Sequence, residues 1–369
     1  MRFLLFLVIV VHGLIHLMGF AKAFKYAELA ALTQPISRPA GLVWLLCAVA
    51  FVLAGALFIS GQQTWWWVAG PAVALSQFLI LIAWRDAKFG TLANLIVLVP
   101  VLAAALDARP SSYTNRYRAA VREGVARCQD MPLVTDEDLQ PMPAAVQKYL
   151  RYVGAVGKPR VHNFRAVFTG TFRNGIDGRW MKFRSEQYNF YDQPTRAFLM
   201  KASMFGLPLE GLHLFRGGSA SMQIKVASLV QVVDAHGPKM NQGETVTMFN
   251  DLCLMAPAAL IDAQKIEWED AGPLAARARF THLGVTISAE LTFDSQGRLV
   301  NFVSNDRFMS ADGKSYTSHP WSTPVRDYKD VDGRWVPSDA ETVWLTPKGD
   351  FSYGKFHLER IDYNLKELK

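Results

Sequence analysis

His12 and His16 stand four residues apart in an apolar run, the spacing that sets two imidazoles on one helix face about one turn apart. Such a pair suits a metal, a haem or a proton path. Haem with two axial histidines is disfavoured, because rings on one face cannot flank an iron from opposite sides. A metal requires further ligands, and Asp86 is the only nearby candidate in the first hundred residues. The plainer reading is hydrogen bonding between helices, worth about 0.6–2 kcal/mol per contact in a membrane. Gln77 and Asn94 fall at a comparable depth in other apolar runs, and Arg85 and Asp86 close the third run at the same end. Polar side chains in lipid face the bundle interior and find partners. His12, His16, Gln77, Arg85, Asp86 and Asn94 are therefore expected to form one intramembrane polar cluster.

The other histidines, His162, His213, His236, His282, His319 and His357, are scattered one per strand or turn. Asp234 with His236, and His282 with the strand that follows, are the pairs that could meet in space. Glu267, Glu269 and Asp270 read as a solvated strand edge. No GxSxG elbow, HExxH, P-loop, GxGxxG or EF-hand pattern occurs, and no CxxC or Cys/His cluster suggests zinc. No catalytic residue, metal or cofactor is assigned, and nothing compels an enzyme. Cys47 lies in the second apolar run, while Cys128 and Cys253 could pair in an oxidising compartment.

The elements that must position these residues fall into two populations. Phe3–Phe20, Gly41–Ser60, Trp65–Trp84 and Thr91–Leu106 contain no Asp, Glu, Lys or Arg. A bilayer core of roughly 30 Å needs about 20 apolar residues of helix, and each span must satisfy its own backbone. Residues 1–106 therefore read as a four-helix transmembrane domain. Met-Arg ahead of an apolar stretch ending in Ala21-Lys22-Ala23 imitates a secretory leader. The run exceeds the usual apolar core of roughly 7–15 residues, so its retention as a span is expected. Loop 21–40 carries Lys22, Lys25 and Arg38, loop 85–90 carries Arg85 and Lys88, and Gly61-Gln62-Gln63-Thr64 carries no charge. Basic short loops stay in the cytoplasm, which puts the C-terminal part outside the plasma membrane; Arg109, Arg116, Arg118 and Arg122 argue the other way. The net charge of +7 does not signal nucleic acid, because no basic run is interleaved with aromatics.

Residues 107–157 read as a helical linker. Pro110-Ser111-Ser112 breaks the chain, then Tyr117, Val121, Val125 and Cys128 recur at helical spacing among Arg116, Arg118, Arg122 and Arg127. This helix either lies on lipid headgroups or packs on the following domain. A second short helix is expected over Pro143–Val153. Over residues 158–369 the period becomes two. Phe164, Ala166 and Phe168 alternate with polar neighbours, as do Ala220, Met222, Ile224 and Val226, and Val285, Ile287, Ala289, Leu291 and Phe293. Such alternation marks antiparallel strands with one buried face, and Asn174-Gly175, Gly217-Gly218 and Asp332-Gly333 supply turns. Helices interrupt the series near 244–262. A long sheet with one apolar face must curl, close or be covered. The expected fold is thus a four-span α-helical bundle followed by an α+β domain, a large curved antiparallel half-barrel covered by a few helices. Phe198, Met200, Met204, Phe205, Met222, Met248 and Met255 suit the lining of an apolar cavity, or equally the filling of a solid core.

Several motifs resemble an uncharacterised family of bacterial multi-spanning membrane proteins. They are His12-Gly13-Leu14-Ile15-His16-Leu17-Met18-Gly19-Phe20, Asp86-Ala87-Lys88-Phe89-Gly90-Thr91, Pro143-Ala144-Ala145-Val146-Gln147-Lys148-Tyr149-Leu150, Trp335-Val336-Pro337, Trp344 and Ile361-Asp362-Tyr363. The soluble part resembles the half-barrel of the Lol-type lipoprotein carriers, which hold acyl chains under helices. The resemblance implies an extracytoplasmic domain and transfers no catalytic residues. The function expected is a membrane-tethered, non-enzymatic domain that binds a lipid or another apolar ligand. The alternatives are a membrane redox or transport component working through His12 and His16, and a structural module that binds a protein partner.

Overall fold

The computed structural model describes residues 2–204, 207–261, 265–310 and 312–369. The chain divides into two compact units, Met1–Ser112 and Tyr113–Lys369.

The first unit consists of α1 (Arg2–Ile15), α2 (Leu17–Ala23), α3 (Arg38–Ile59), α4 (Trp65–Ile82), α5 (Trp84–Ala87) and α6 (Gly90–Asp107). α1 and α2 run on as one span with a turn at His16, so four helices are long and apolar enough to cross a membrane. Ser37 starts α3: its hydroxyl accepts from the Ala40 amide at 3.3 Å, with Pro39 in the first turn. Glycine sets the approach of α1 and α2 to α3. A Cβ at Gly13 would lie 2.6 Å from the Phe51 Cβ, and one at Gly19 would enter the Trp44 ring. Pro71 and Pro100 sit inside α4 and α6, as neighbouring helices in a bundle allow.

The second unit opens with α7 (Tyr113–Val125) and α8 (Ala144–Tyr152). Six strands follow: β1 (Asn163–Phe172), β2 (Met181–Phe190), β3 (Thr195–Met204), β4 (Leu207–Arg216), β5 (Ser219–Val226) and β6 (Val230–His236). Then come α9 (Pro238–Met255), a short 3₁₀ turn at Pro257–Ala259, β7 (Ile266–Asp270), β8 (Ala275–His282), β9 (Val285–Phe293) and β10 (Leu299–Ser304). The chain ends with β11 (Phe308–Met309), β12 (Thr317–Ser318), β13 (Trp321–Ser322), β14 (Val325–Val331), β15 (Arg334–Thr346) and β16 (Gly349–Tyr363). Thirteen strands form one antiparallel series, β6-β5-β4-β3-β2-β1-β16-β15-β13-β10-β9-β8-β7, and β14 pairs with β15 beside it. β11 and β12 pair separately.

The sheet curls strongly. β4 and β8 are nine strands apart in the series, about 43 Å across a flat sheet at ~4.8 Å per strand. Yet the rings of Phe215 on β4 and His282 on β8 lie 5.5 Å apart. α9 joins the two edge strands β6 and β7 and runs through the hollow, touching β5 and β6 on one wing and β9 and β10 on the other. Its residues from Gly243 to Met255, Asp251 excepted, are buried. A helix buried on every side fills a core rather than floating over one. Phe249 stacks on Phe280 at 5.0 Å, and Phe302 lies 5.9 Å away. Most of the half-barrel interior is thus filled by the helix expected near residue 244, which starts at Pro238 instead. Its last carbonyls are satisfied from outside: Tyr149 Oη donates to Cys253 O at 2.7 Å, and Tyr363 Oη donates to Met255 O at 2.8 Å.

α7 lies on the opposite face of β3 and β4. Tyr117, Val121 and Val125 pack there with Tyr188, Ala197, Leu199 and Leu212. The apolar stripe of this arginine-rich helix is used on its own domain. The alternation read in β9 holds throughout: Ile287, Ala289, Leu291 and Phe293 are buried while Thr286, Ser288 and Glu290 are exposed. All three cysteines are free.

Candidate functional site

In the first unit, α1, α4 and α6 meet through polar side chains. His16 Nδ1 lies 2.8 Å from the His12 carbonyl, and a carbonyl only accepts, so this nitrogen carries the proton. His16 Nε2 therefore accepts from Ser76 Oγ at 3.0 Å. His12 Nε2 lies 2.9 Å from Asn94 Oδ1 and 3.2 Å from Ser76 Oγ, so it donates. Asn94 Nδ2 then donates to Gln77 Oε1 at 3.0 Å, and Gln77 Nε2 to Thr91 Oγ1 at 3.2 Å. The chain closes with both imidazoles neutral. His12, His16, Ser76 and Asn94 are all buried, enclosed by Phe51 and Trp44. Of the expected cluster, His12, His16, Gln77 and Asn94 come together. Arg85 is exposed, and Asp86 instead holds the loop before α3, accepting from the Thr33 amide at 2.6 Å, the Thr33 hydroxyl at 2.7 Å and the Gln34 amide at 3.0 Å. Ser76, which joins the two histidines, carries no sequence signal beyond being a small polar residue in an apolar run.

In the second unit, the filled part of the hollow contains charge. Glu244 and Asp251 are seven residues apart on α9, hence on one face. Arg196 on β3 reaches both, Nη1 to Glu244 Oε2 at 3.2 Å and Nε to Asp251 Oδ2 at 2.7 Å. Gln187 and Asn189 of β2 also donate to Asp251, at 2.6 and 3.1 Å. Glu244 Oε1 faces His213 Nδ1 and Arg307 Nη2, each at 3.7 Å. Burial opposes charge on Glu244, but Arg196, His213 and Arg307 hold its carboxyl down at about 2. Burial also lowers His213, against the pull of Glu244. Arg307 lies over the Trp321 ring at 4.3 Å and donates to Tyr353 Oη at 3.0 Å. Arg196 bridges Glu244 and Asp251, so this cluster fastens α9 to the sheet, while Glu244 Oε1 has ion-pair neighbours but no hydrogen bond.

Beside it lies a cavity of about 210 Å³. Tyr191 and Pro194, between β2 and β3, form one wall, and Ile266 and Phe280, from β7 and β8, form another. Met248, Leu252 and Ile261 close it from the helical side. The polar residues on the lining are Arg160, His162, Asp192 and Lys265. The space is below the roughly 300–1,000 Å³ of a pocket for a drug-sized ligand.

Of the residues read as cavity candidates, Met248 lines this space. Met255 belongs to the main core and Met200 packs against it. Phe198 sits under the Arg196 guanidinium at 5.0 Å. Met222 pairs with His213 across β4 and β5, and Met204 with Leu207 at the β3–β4 turn. Phe205 lies outside the described residues. Asp234 and His236 approach to 3.9 Å on the surface; Glu267 and Glu269 meet Arg279 and Arg277 on the exposed edge. Among the described residues no group of three or more His, Cys, Asp or Glu is arranged to hold a metal.

No curated protein matches the sequence. Several solved structures show distant likeness, three of them as follows. A putative outer membrane lipoprotein-sorting protein domain from Vibrio parahaemolyticus is 11% identical with a TM-score of 0.32, over 56% of this chain and 87% of that one. A LolA superfamily protein from Nitrosomonas europaea is 10% identical with a TM-score of 0.34, over 61% and 94%. A DUF1329 family protein from Desulfovibrio piger is 11% identical with a TM-score of 0.32, over 62% and 95%. Such scores are too low to carry a functional conclusion. The family match is decisive: residues 132–356, more than half of the chain, match the family of unknown function DUF6544, and the protein belongs to that family.

Proposed function

We propose that this protein is a membrane-tethered, non-enzymatic binder of an apolar chain, held by its C-terminal domain outside the plasma membrane. The observation that carries the reading is the cavity of about 210 Å³ between Tyr191 and Phe280, walled by aliphatic and aromatic side chains. α9 fills the rest of the hollow, and an apolar lining left uncovered gains from burial by an apolar chain. Four apolar helices keep the domain close to lipid, and the uncharged 61–64 loop against basic loops 21–40 and 85–90 supports the outward orientation.

Native mass spectrometry of the full-length protein, released from mild detergent, tests this. A single-chain adduct bound once per protein is the expected result. A protein that sheds all adducts together with its detergent would reject the reading.

A further inference from the structure

We propose that one end of the sheet, where β1 connects to β2, β3 to β4 and β5 to β6, dips into the headgroup layer of an anionic membrane; this rests on the membrane tether read above and not on the cavity. Strand pairing sets the three connections side by side. Gly170 pairs with Phe183, Phe183 with Ala202, Ala202 with Leu209, Leu209 with Val226 and Val226 with Val230. At and beyond that row the chain holds large apolar side chains out of the core. Ile176, Leu207, Leu229 and Val230 are between 41% and 60% exposed, and Val232 continues the patch along the edge strand β6. Exposed apolar side chains gathered at one end of a domain mark a surface that docks on a partner or a membrane.

Two observations favour lipid as the occupant. The first is where the chain enters the domain. Glu210 and Lys225 pair one residue inside the row, and both meet the start of α7. Thr114 Oγ1 donates to Glu210 at 2.9 Å, and Lys225 Nζ lies over the Tyr113 ring at 4.4 Å. The last turn of α7 is at the far end of the strands, where Glu123 pairs with Arg216. Only residues 108–112 separate Tyr113 from Asp107, the last residue of α6, at most ~22 Å of extended chain. A tether that short, attached at this end, keeps these turns close to the bilayer that α6 crosses. The second observation is charge. The β15–β16 turn lies at the same end, because Phe172 pairs with Gly354 and Thr346 with Gly349. Arg173, Arg179, Lys182, Lys201, Lys225 and Lys348 stand here against Asp177, Glu210 and Asp350. Such side chains reach lipid phosphates while apolar neighbours enter the interface.

The test uses full-length Cys128→Ser protein in nanodiscs of phosphatidylcholine and phosphatidylglycerol, with a fluorophore on one introduced cysteine; Cys47 and Cys253 are buried and stay unlabelled. Leu207→Cys and Val230→Cys report the proposed contact. Gln193→Cys, exposed in the β2–β3 turn, reports the opposite end of the strands, and Leu46→Cys, exposed in the middle of α3, reports the span. Lipids carrying a nitroxide at the top of the acyl chain should quench the labels at Leu207→Cys and Val230→Cys and leave Gln193→Cys bright. Lipids carrying it at the chain end should quench Leu46→Cys. Adding Lys182→Glu and Lys348→Glu to Leu207→Cys should restore its fluorescence. Quenching at Leu46→Cys with none at Leu207→Cys or Val230→Cys overturns the inference and leaves the tether standing. Quenching at Gln193→Cys as strong as at Leu207→Cys also overturns it. Quenching that survives both charge reversals overturns the preference for anionic lipid. No quenching at Leu46→Cys overturns the tether itself.

Discussion

Two buried polar clusters hold the two halves of this protein, and they are built from different chemistry. Between α1, α4 and α6 the groups are neutral: two imidazoles, two amides and two hydroxyls joined donor to acceptor. Between α9 and the sheet they are ions, with Arg196 shared by Glu244 and Asp251. The contrast fits a first unit whose four helices are long and apolar enough to cross a membrane. A charge in a membrane bundle has no water to fall back on, so the bundle uses groups that satisfy one another without ionising. A curled sheet in water can bury ions provided each is paired, and the pairing then fixes one helix position.

The largest effect should come from breaking the ionic cluster. Arg196→Met leaves Glu244 and Asp251 without their main counter-charge, and should cost about 3–5 kcal/mol in unfolding of the second unit. An Arg196→Met variant of near wild-type stability would show that the cluster does not fasten α9. The neutral cluster should respond less. His12→Phe with His16→Phe should lower the stability of the membrane unit by about 0.6–2 kcal/mol per lost contact, read as a lower thermal midpoint in detergent. His12→Gln should recover part of that loss, because a side-chain amide can still donate to Asn94.

Acid separates the clusters further. The Glu244 carboxyl is held at about 2 against an ordinary value of 4.5. A carboxyl lowered by folding contributes stability that is complete above the unfolded value and fades as pH falls through the folded one. Between about pH 4.5 and 2 the second unit should therefore lose stability, and more steeply than the Glu244→Gln variant. Equal slopes for the two proteins would contradict the ionic reading. The smallest stability change is expected from Ala259→Phe, which places a ring in the cavity; it should shift the midpoint little, within roughly 1.5 kcal/mol.

Sequence patterns made the two clusters unequally legible. His12 and His16 stand out because a polar residue in an apolar run has no camouflage, and the spans around them end within a few residues of their expected bounds. Ser76 does not, since a small hydroxyl in such a run is unremarkable. The β9 alternation is visible because a strand with one wet face repeats every second residue. α9 is legible only in part: Val246, Phe249 and Leu252 recur at helical spacing after Glu244, so the buried part reads as a helix. Its first turns, Pro238 to Gln242, look like loop. Arg196, Glu244 and Asp251 lie on elements joined only by the curl of the sheet, and Arg160, Tyr191 and Phe280 likewise reach one cavity from distant segments. No local spacing encodes such meetings.

We propose that the unfilled part of the hollow is kept open for a ligand, whereas α9 occupies the rest. Comparing chain-like adducts on full-length wild-type protein and Ala259→Phe, at matched thermal stability in the same detergent, addresses it most directly. The wild type should retain one such adduct per protein and Ala259→Phe should retain none. Equal retention by both proteins would contradict the account.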